Sequence, residues 1–241
     1  MKKIFIVILI LVTIDIYSQD YSIPLNSGND VYYYKGFTLQ YDEEFEQARW
    51  VAYELTFEEC KGDINRTDNF REDTQIKSGT AILDDYKYSG YDRGHLAPAG
   101  DMSWSKKAME DSFYMSNMSP QKPYFNRIAW RILEGKVREW AIKYKKIYIV
   151  TGPVLQDPPY LTIGENKVAV PKYYYKVVLR SYKDSYKAIG FLMPNKKLEK
   201  PINDFIVSVN FIEAITKIDF FYKLENDIEE TVEAKPELNL W

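Results

Sequence analysis

The sequence predicts an α+β fold, an antiparallel β-sheet core flanked by helices. Three observations carry this reading. The apolar runs 168–179 and 188–193 face each other across the polar turn Lys183-Asp184-Ser185, as an antiparallel strand pair requires. The runs 48–55 (ARWVAYEL) and 146–150 (KIYIV) are dense in β-branched and aromatic residues, which suit a pleated, buried surface. Residues 121–143 repeat apolar side chains at helical intervals instead, with Ala129, Leu133, Val137 and Trp140 on one stripe and Ile132 alongside.

Taken in order, residues 30–40 read as strand, turn and strand, and 48–55 as a third strand. The stretch 61–90 is polar and rich in turn residues, a long surface loop that carries Arg66 and Arg71. Residues 112–117 (SFYMSN) read as a short strand and 121–143 as a helix. The buried strand 146–150 ends at Thr151-Gly152-Pro153, the hairpin follows, and 207–216 forms a second helix. The acidic stretch 225–241 is expected to be a loosely ordered tail onto which Trp241 could dock. The 21 tyrosines fall mostly in strand-like runs such as Tyr32-Tyr33-Tyr34 and Tyr173-Tyr174-Tyr175, so sheet packing accounts for them and none is read as a nucleic-acid contact.

Residues 1–19 read as a signal peptide. Lys2 and Lys3 precede an apolar run, Ile4 to Val12, that is too short to span a bilayer. The segment has no arginine and no amphipathic pattern, which disfavours a mitochondrial transit peptide. This predicts a secreted or periplasmic protein with no stable membrane association. Residues 20–241 then form a single domain, long enough for a proper core.

Composition excludes several function classes. With 32 basic and 35 acidic residues the net charge is −3, unlike a passive DNA-binding module that neutralises many phosphates. An enzyme needs only a local positive site, so that class stays open. One histidine and one cysteine, Cys60, cannot build a Cys/His zinc site or an intramolecular disulfide. A ribonuclease that uses the 2′-hydroxyl usually wants two histidines. There is no Gly-x-Ser-x-Gly elbow and no glycine-rich nucleotide loop. Glycosidase chemistry needs only two carboxylates and is not excluded.

The single histidine, His95, lies in Tyr91-Asp92-Arg93-Gly94-His95-Leu96-Ala97-Pro98-Ala99. It is the one side chain whose ordinary pKa suits proton transfer near neutral pH. A base, a cation and a carboxylate around one glycine suit chemistry on a phosphate. Downstream stand Asn117, Asn126, Glu134 and Arg138. If a helix begins near Asn126, the steps to Glu134 and then Arg138 rotate by about 80° and 40°, so the three share a broad face. An axial separation of about 12 Å keeps Asn126 and Glu134 from touching one ion directly. Asn126 is then a direct oxygen ligand and Glu134 acts through water, a division that Mg²⁺ tolerates. The plainer alternative makes Asn126 a helix cap and Glu134 the i,i+4 partner of Arg138.

Together these residues carry a resemblance. The motif YDRGHLAPAGDM and the segment FYMSNMSPQKPYFNRIAWRILE, 113–134, resemble the two signatures of the DNA/RNA non-specific endonucleases, and weaker likeness extends over about 30–222. That family's site is a ββα-metal finger, also called a His-Me finger, embedded in the α+β fold. The resemblance implies His95 as general base and Asn126 as the protein ligand of a catalytic metal, Mg²⁺ with Mn²⁺ as a substitute. It implies Glu134 as the acid that holds the metal's water shell and Asn117 as a support of the site. Arg93, Arg138 and Arg66 match basic residues near the scissile phosphate, with Arg71 competing for the last position. The implied activity is hydrolysis of DNA and RNA to 5′-phosphate ends, and a homodimer is admitted. Two other readings compete: a catalytically inactive relative that binds nucleic acid, and an antibacterial nuclease toxin.

Overall fold

A computed structural model describes residues 20–25, 30–155, 160–182 and 185–241. The expected signal peptide, residues 1–19, lies outside them. Its centre is a seven-stranded antiparallel sheet in the order β1-β2-β3-β6-β9-β10-β11. The strands are β1 (Val31–Tyr33), β2 (Thr38–Asp42), β3 (Gln47–Thr56), β6 (Lys146–Pro153), β9 (Tyr173–Tyr182), β10 (Ser185–Pro194) and β11 (Ile206–Val207). Two short pairs stand apart, β4 (Asp92–His95) with β5 (Met118–Gln121), and β7 (Thr162–Ile163) with β8 (Val168–Ala169). The α+β architecture predicted from the sequence is thus present.

Both faces of the large sheet are covered, which explains why its strands read as continuous apolar runs. On β9, Tyr174 and Val178 enter the core under α3 (Arg131–Tyr144), while Tyr175, Val177 and Leu179 enter the core under α4 (Val209–Thr216) and α5 (Asn226–Ala234). The β9–β10 hairpin pairs Leu179 with Ala188 and Tyr174 with Met193. Its turn residues 183 and 184 lie outside the described residues. The helical stripe faces the sheet as expected, with Leu133, Val137 and Trp140 at most 2% exposed. Ile132 does not join it and is 52% exposed.

Four elements depart from the sequence reading. Residues 112–117 are not a strand. They end α2 (Lys106–Ser112) and form a 3-10 turn, and the strand begins only at Met118. The side chain of Asn117 takes up backbone groups of Ser112 and Ala97, which favours a turn over a ladder. The stretch 61–90 is long and mostly irregular but not simply superficial. Asp73, Ile76, Ala81 and Tyr86 are buried, the last in the short helix α1 (Leu83–Tyr86), and Asp73 accepts hydrogen bonds from Tyr34 and Ser116. The second helix starts at Val209, because Ile206 and Val207 pair with Phe191 and Gly190 and Ser208 caps the helix. The expected loose tail contains α5, whose Val232 is buried, and Trp241 packs against Trp140 with ring centres 4.7 Å apart and planes tilted by 52°.

Candidate active site

The site is a finger of two strands and a helix. In β4, Arg93 and His95 are two residues apart and therefore point to the same side. Strand β5 pairs with β4 so that Arg93 lies opposite Pro120 and His95 opposite Met118. Between Arg93 and His95, Gly94 leaves the space that the Gln121 side chain fills; a Cβ there would overlap it. After β5 the chain turns into a π-helical segment, Phe125–Trp130, that runs directly into α3. Single π turns inside helices are frequent at functional sites. The straight α-helix assumed from Asn126 is therefore replaced by a wider turn at the position where Asn126 sits.

One cleft gathers most of the predicted residues. Its wall contains Arg66, Arg93, His95, Asn126, Glu134 and Arg138, together with Arg127 and Arg131. Arg131, Glu134 and Arg138 follow at i, i+3 and i+7 on one face of α3. Arg71 is not in that wall. Its guanidinium donates to the Glu110 carbonyl and lies over the Tyr114 ring, bracing the long loop against α2. Arg66 lies over the Phe113 ring and pairs with Asp68. Asn117 is not in the wall either. It is fully buried, and its amide accepts from the Ala97 N–H and donates to the Ala97 carbonyl, clamping the segment that follows His95.

His95 is only 8% exposed and sits edge-on to Phe70 and Phe113. Its Nε2 is buried and has no hydrogen-bond partner among the described residues. A buried nitrogen left unpaired calls for an explanation, and a base that awaits a proton supplies one. Burial first, then the Arg66 and Arg93 charges, push its pKa down to about 3, so the ring is neutral.

Asn126 is neither a helix cap nor loose. Its Nδ2 donates to Asp92 Oδ2 at 3.0 Å, and Arg127 grips the same carboxylate with two hydrogen bonds of 2.8 and 2.6 Å. With its nitrogen turned to Asp92, the amide keeps its oxygen for another partner. An amide oxygen beside a carboxylate fits a hard cation that retains several waters, and no cluster of three His, Cys, Asp or Glu ligands occurs among the described residues. An oxygen donor of this kind suits a hard cation better than a soft metal.

Glu134 lies in the field of a buried lysine of the sheet. Burial raises its carboxyl, and the neighbouring Lys176 ammonium opposes that rise. Lys176 projects from β9, is fully buried, and lies 4.8 Å from the Trp130 ring centre. Arg138 pairs with Asp101 at 2.6 Å, and Tyr53 donates to the same carboxylate at 2.8 Å. The sequence reading missed Lys176, Asp101, the aromatic pair Phe70 and Phe113, and the arginines Arg127 and Arg131. Only the last two carried a signal, as cations one and five residues after Asn126. Cys60 is half-buried against the Arg138 carbonyl, and burial pushes its thiol up to about 11, which leaves it a poor nucleophile.

A family profile described as DNA/RNA non-specific endonuclease matches residues 17–227. The chain belongs to the DNA/RNA non-specific endonuclease family. Human mitochondrial endonuclease G is 36% identical over 200 residues, covering 77% of this chain and 67% of that protein. Zebrafish mitochondrial nuclease EXOG is 34% identical over 215 residues, covering 83% of this chain and 63% of that protein. The solved complex of EndoG with EndoGI, described as the mechanism of EndoG inhibition, matches with a TM-score of 0.80 at 32% identity, covering 86% of this chain and 91% of that one. Family and fold agree with the resemblance read from the two motifs. The expected secreted or periplasmic localisation does not survive: endonuclease G and EXOG are mitochondrial by name. An apolar run behind two lysines states affinity for a membrane surface and does not say which membrane. No helix among the described residues is long and apolar enough to cross one.

Proposed function

We propose that this member of the family is a metal-dependent endonuclease that hydrolyses phosphodiester bonds of both DNA and RNA. The observation that carries the reading is the neutral His95, its Nε2 without a hydrogen-bond partner among the described residues, in a cleft whose described wall holds five arginines and Glu134 as its carboxylate. A phosphodiester resists attack because its anionic oxygens repel a nucleophile. The arginines offset that charge and orient the phosphate, and His95 takes the proton of the attacking water, an effect typically worth about 10²- to 10⁴-fold. Asn126 would hold a divalent cation, with Glu134 reaching it through water. Such an ion supplies positive charge against the developing charge on the phosphate and the leaving oxygen.

Substrate charge also bears on the base. Arg66 and Arg93 depress the His95 pKa in the free protein. An anionic phosphate between them would relieve that repulsion and raise the basicity of the ring when substrate is bound. No step in this scheme uses a 2′-hydroxyl, so both sugars are accepted; 5′-phosphate products are what the family resemblance implies. The test is digestion of plasmid, linear DNA and RNA across a metal series, with and without EDTA. His95→Ala should lose at least about a hundredfold on all three substrates while keeping its circular dichroism spectrum. Cleavage retained in a clean preparation of that variant would overturn the reading.

A further inference from the structure

The surface that leads away from the cleft follows β4. Arg93 belongs both to the cleft and to a neighbouring hollow lined by Asp84, Lys87 and Tyr91. Tyr91 in turn borders a third hollow, walled by Lys172, Tyr173, Asn195 and Lys196, with no carboxylate among its described residues. A wall of that kind is unexpected in a chain with a net charge of −3. Tyr91 stands four residues before His95, about 13 Å away at the strand's rise of 3.3 Å per residue.

Tyr173 is 44% exposed, while Tyr174 and Tyr175 beside it are fully buried in the two cores. Tyr173 pairs with Pro194 at the end of the β9–β10 ladder, and its carbonyl accepts from the Val154 N–H at 3.0 Å. The Lys122 ammonium lies 3.8 Å from the centre of the Tyr91 ring. One amide holds these parts in register. Asn195 Nδ2 donates to the Pro120 and Pro171 carbonyls at 2.9 and 3.0 Å, and its Oδ1 accepts from the Lys122 N–H at 2.7 Å. Asn195 thereby fixes the three segments that carry Lys122, Lys172 with Tyr173, and Lys196. A face assembled in advance binds without having to order its side chains first.

We propose that this face, clamped by Asn195, is a docking platform for unpaired nucleotides of the strand that leaves the cleft. The identity of the strand rests on the nuclease reading given above. An exposed aromatic ring among lysines is what a single strand uses, since its bases can stack on the ring and its phosphates meet the ammonium groups. Bases inside a duplex stack on one another and cannot reach Tyr173. The platform therefore favours single-stranded substrate and frayed or looped regions over intact duplex.

The experiment is fluorescence anisotropy with a labelled single strand of about twelve nucleotides, and with its duplex, in EDTA so that nothing is cut. Tyr173→Ala should weaken single-strand binding roughly tenfold and leave duplex binding in place. Tyr173→Phe keeps the ring and should bind as the parent does. Lys172→Glu combined with Lys196→Glu should weaken single-strand binding and flatten its salt dependence. Equal single-strand affinity in parent and Tyr173→Ala, or an equal loss on duplex and single strand, would sink the platform. Plasmid digestion with metal is run on the parent protein alongside. Absence of cleavage there removes the nuclease reading while the binding comparison still decides the platform.

Discussion

His95 illustrates how environment sets the role of a residue. Burial and two arginines hold its folded pKa at about 3, far below the 6.5 of a free imidazole. Between those values the unfolded chain carries a proton that the folded one does not, so stability is full above pH 6.5 and falls as the pH drops towards 3. The slope reaches about 1.4 kcal/mol per pH unit. His95→Asn should flatten that slope in urea titrations from pH 4 to pH 7. The acid limb of kcat/KM, which reports the free enzyme, should likewise lie below the ordinary histidine value. Asp92 works through its neighbour, since it holds the Asn126 amide by its nitrogen and leaves the oxygen for another partner. Asp92→Ala should therefore weaken Mg²⁺ or Mn²⁺ binding about 10- to 100-fold by calorimetry. Unchanged metal affinity in that variant would remove Asp92 from the account.

At the level of elements, the finger depends on close contact between β4 and β5. Gly94 has room for hydrogen only, because the Gln121 side chain occupies the place of a Cβ. Gly94→Ala should cost about 1–3 kcal/mol in stability and displace His95 relative to α3, with a matching fall in kcat. The C-terminal helix α5 shows the opposite balance. Its Glu233 is 4% exposed with one oxygen unpartnered among the described residues, and it faces Glu213, Glu229 and Asp219. Burial and these carboxylates push its pKa up to about 9. Above about pH 4.5 the unfolded chain releases that proton while the folded chain keeps it, so stability falls as the pH rises towards 9. Glu233→Gln should raise the melting temperature at pH 8, by about 2–4 °C for each kcal/mol recovered, and give no gain at pH 4. Equal shifts at both values would show that the helix packs for other reasons.

Across the whole molecule, the sheet serves as a platform from which β9 sends Lys176 to the Trp130 ring, where its charge bears on Glu134, and β3 sends Tyr53 to Asp101, the partner of Arg138. Cleft chemistry thus rests on residues from strands far apart in the chain. Much of this was legible beforehand. Apolar β-branched and aromatic runs disclosed the central strands, and helical spacing disclosed α3, because burial on both faces of a sheet or on one face of a helix imposes its own pattern on the sequence. The resemblance carried by the two motifs pointed to Arg93, His95, Asn126, Glu134 and Arg138, and the structure brings these five into one cleft. Local signals failed where distant partners decide. Residues 112–117 form a turn because the Asn117 amide meets backbone from Ala97, and the last seventeen residues are ordered because α5 and Trp241 find sheet and helix to pack on. The compartment was misread because charge and apolarity in a leader describe an interface and not an address. What the sequence determined alone is the class of chemistry and the alternation of buried and exposed positions, which follow from residue identity and spacing. What the tertiary structure decided is which of Arg66 and Arg71 enters the cleft, which way Asn126 faces and which tyrosine stays uncovered. Those depend on side chains brought together from opposite ends of the chain, and no local pattern encodes them.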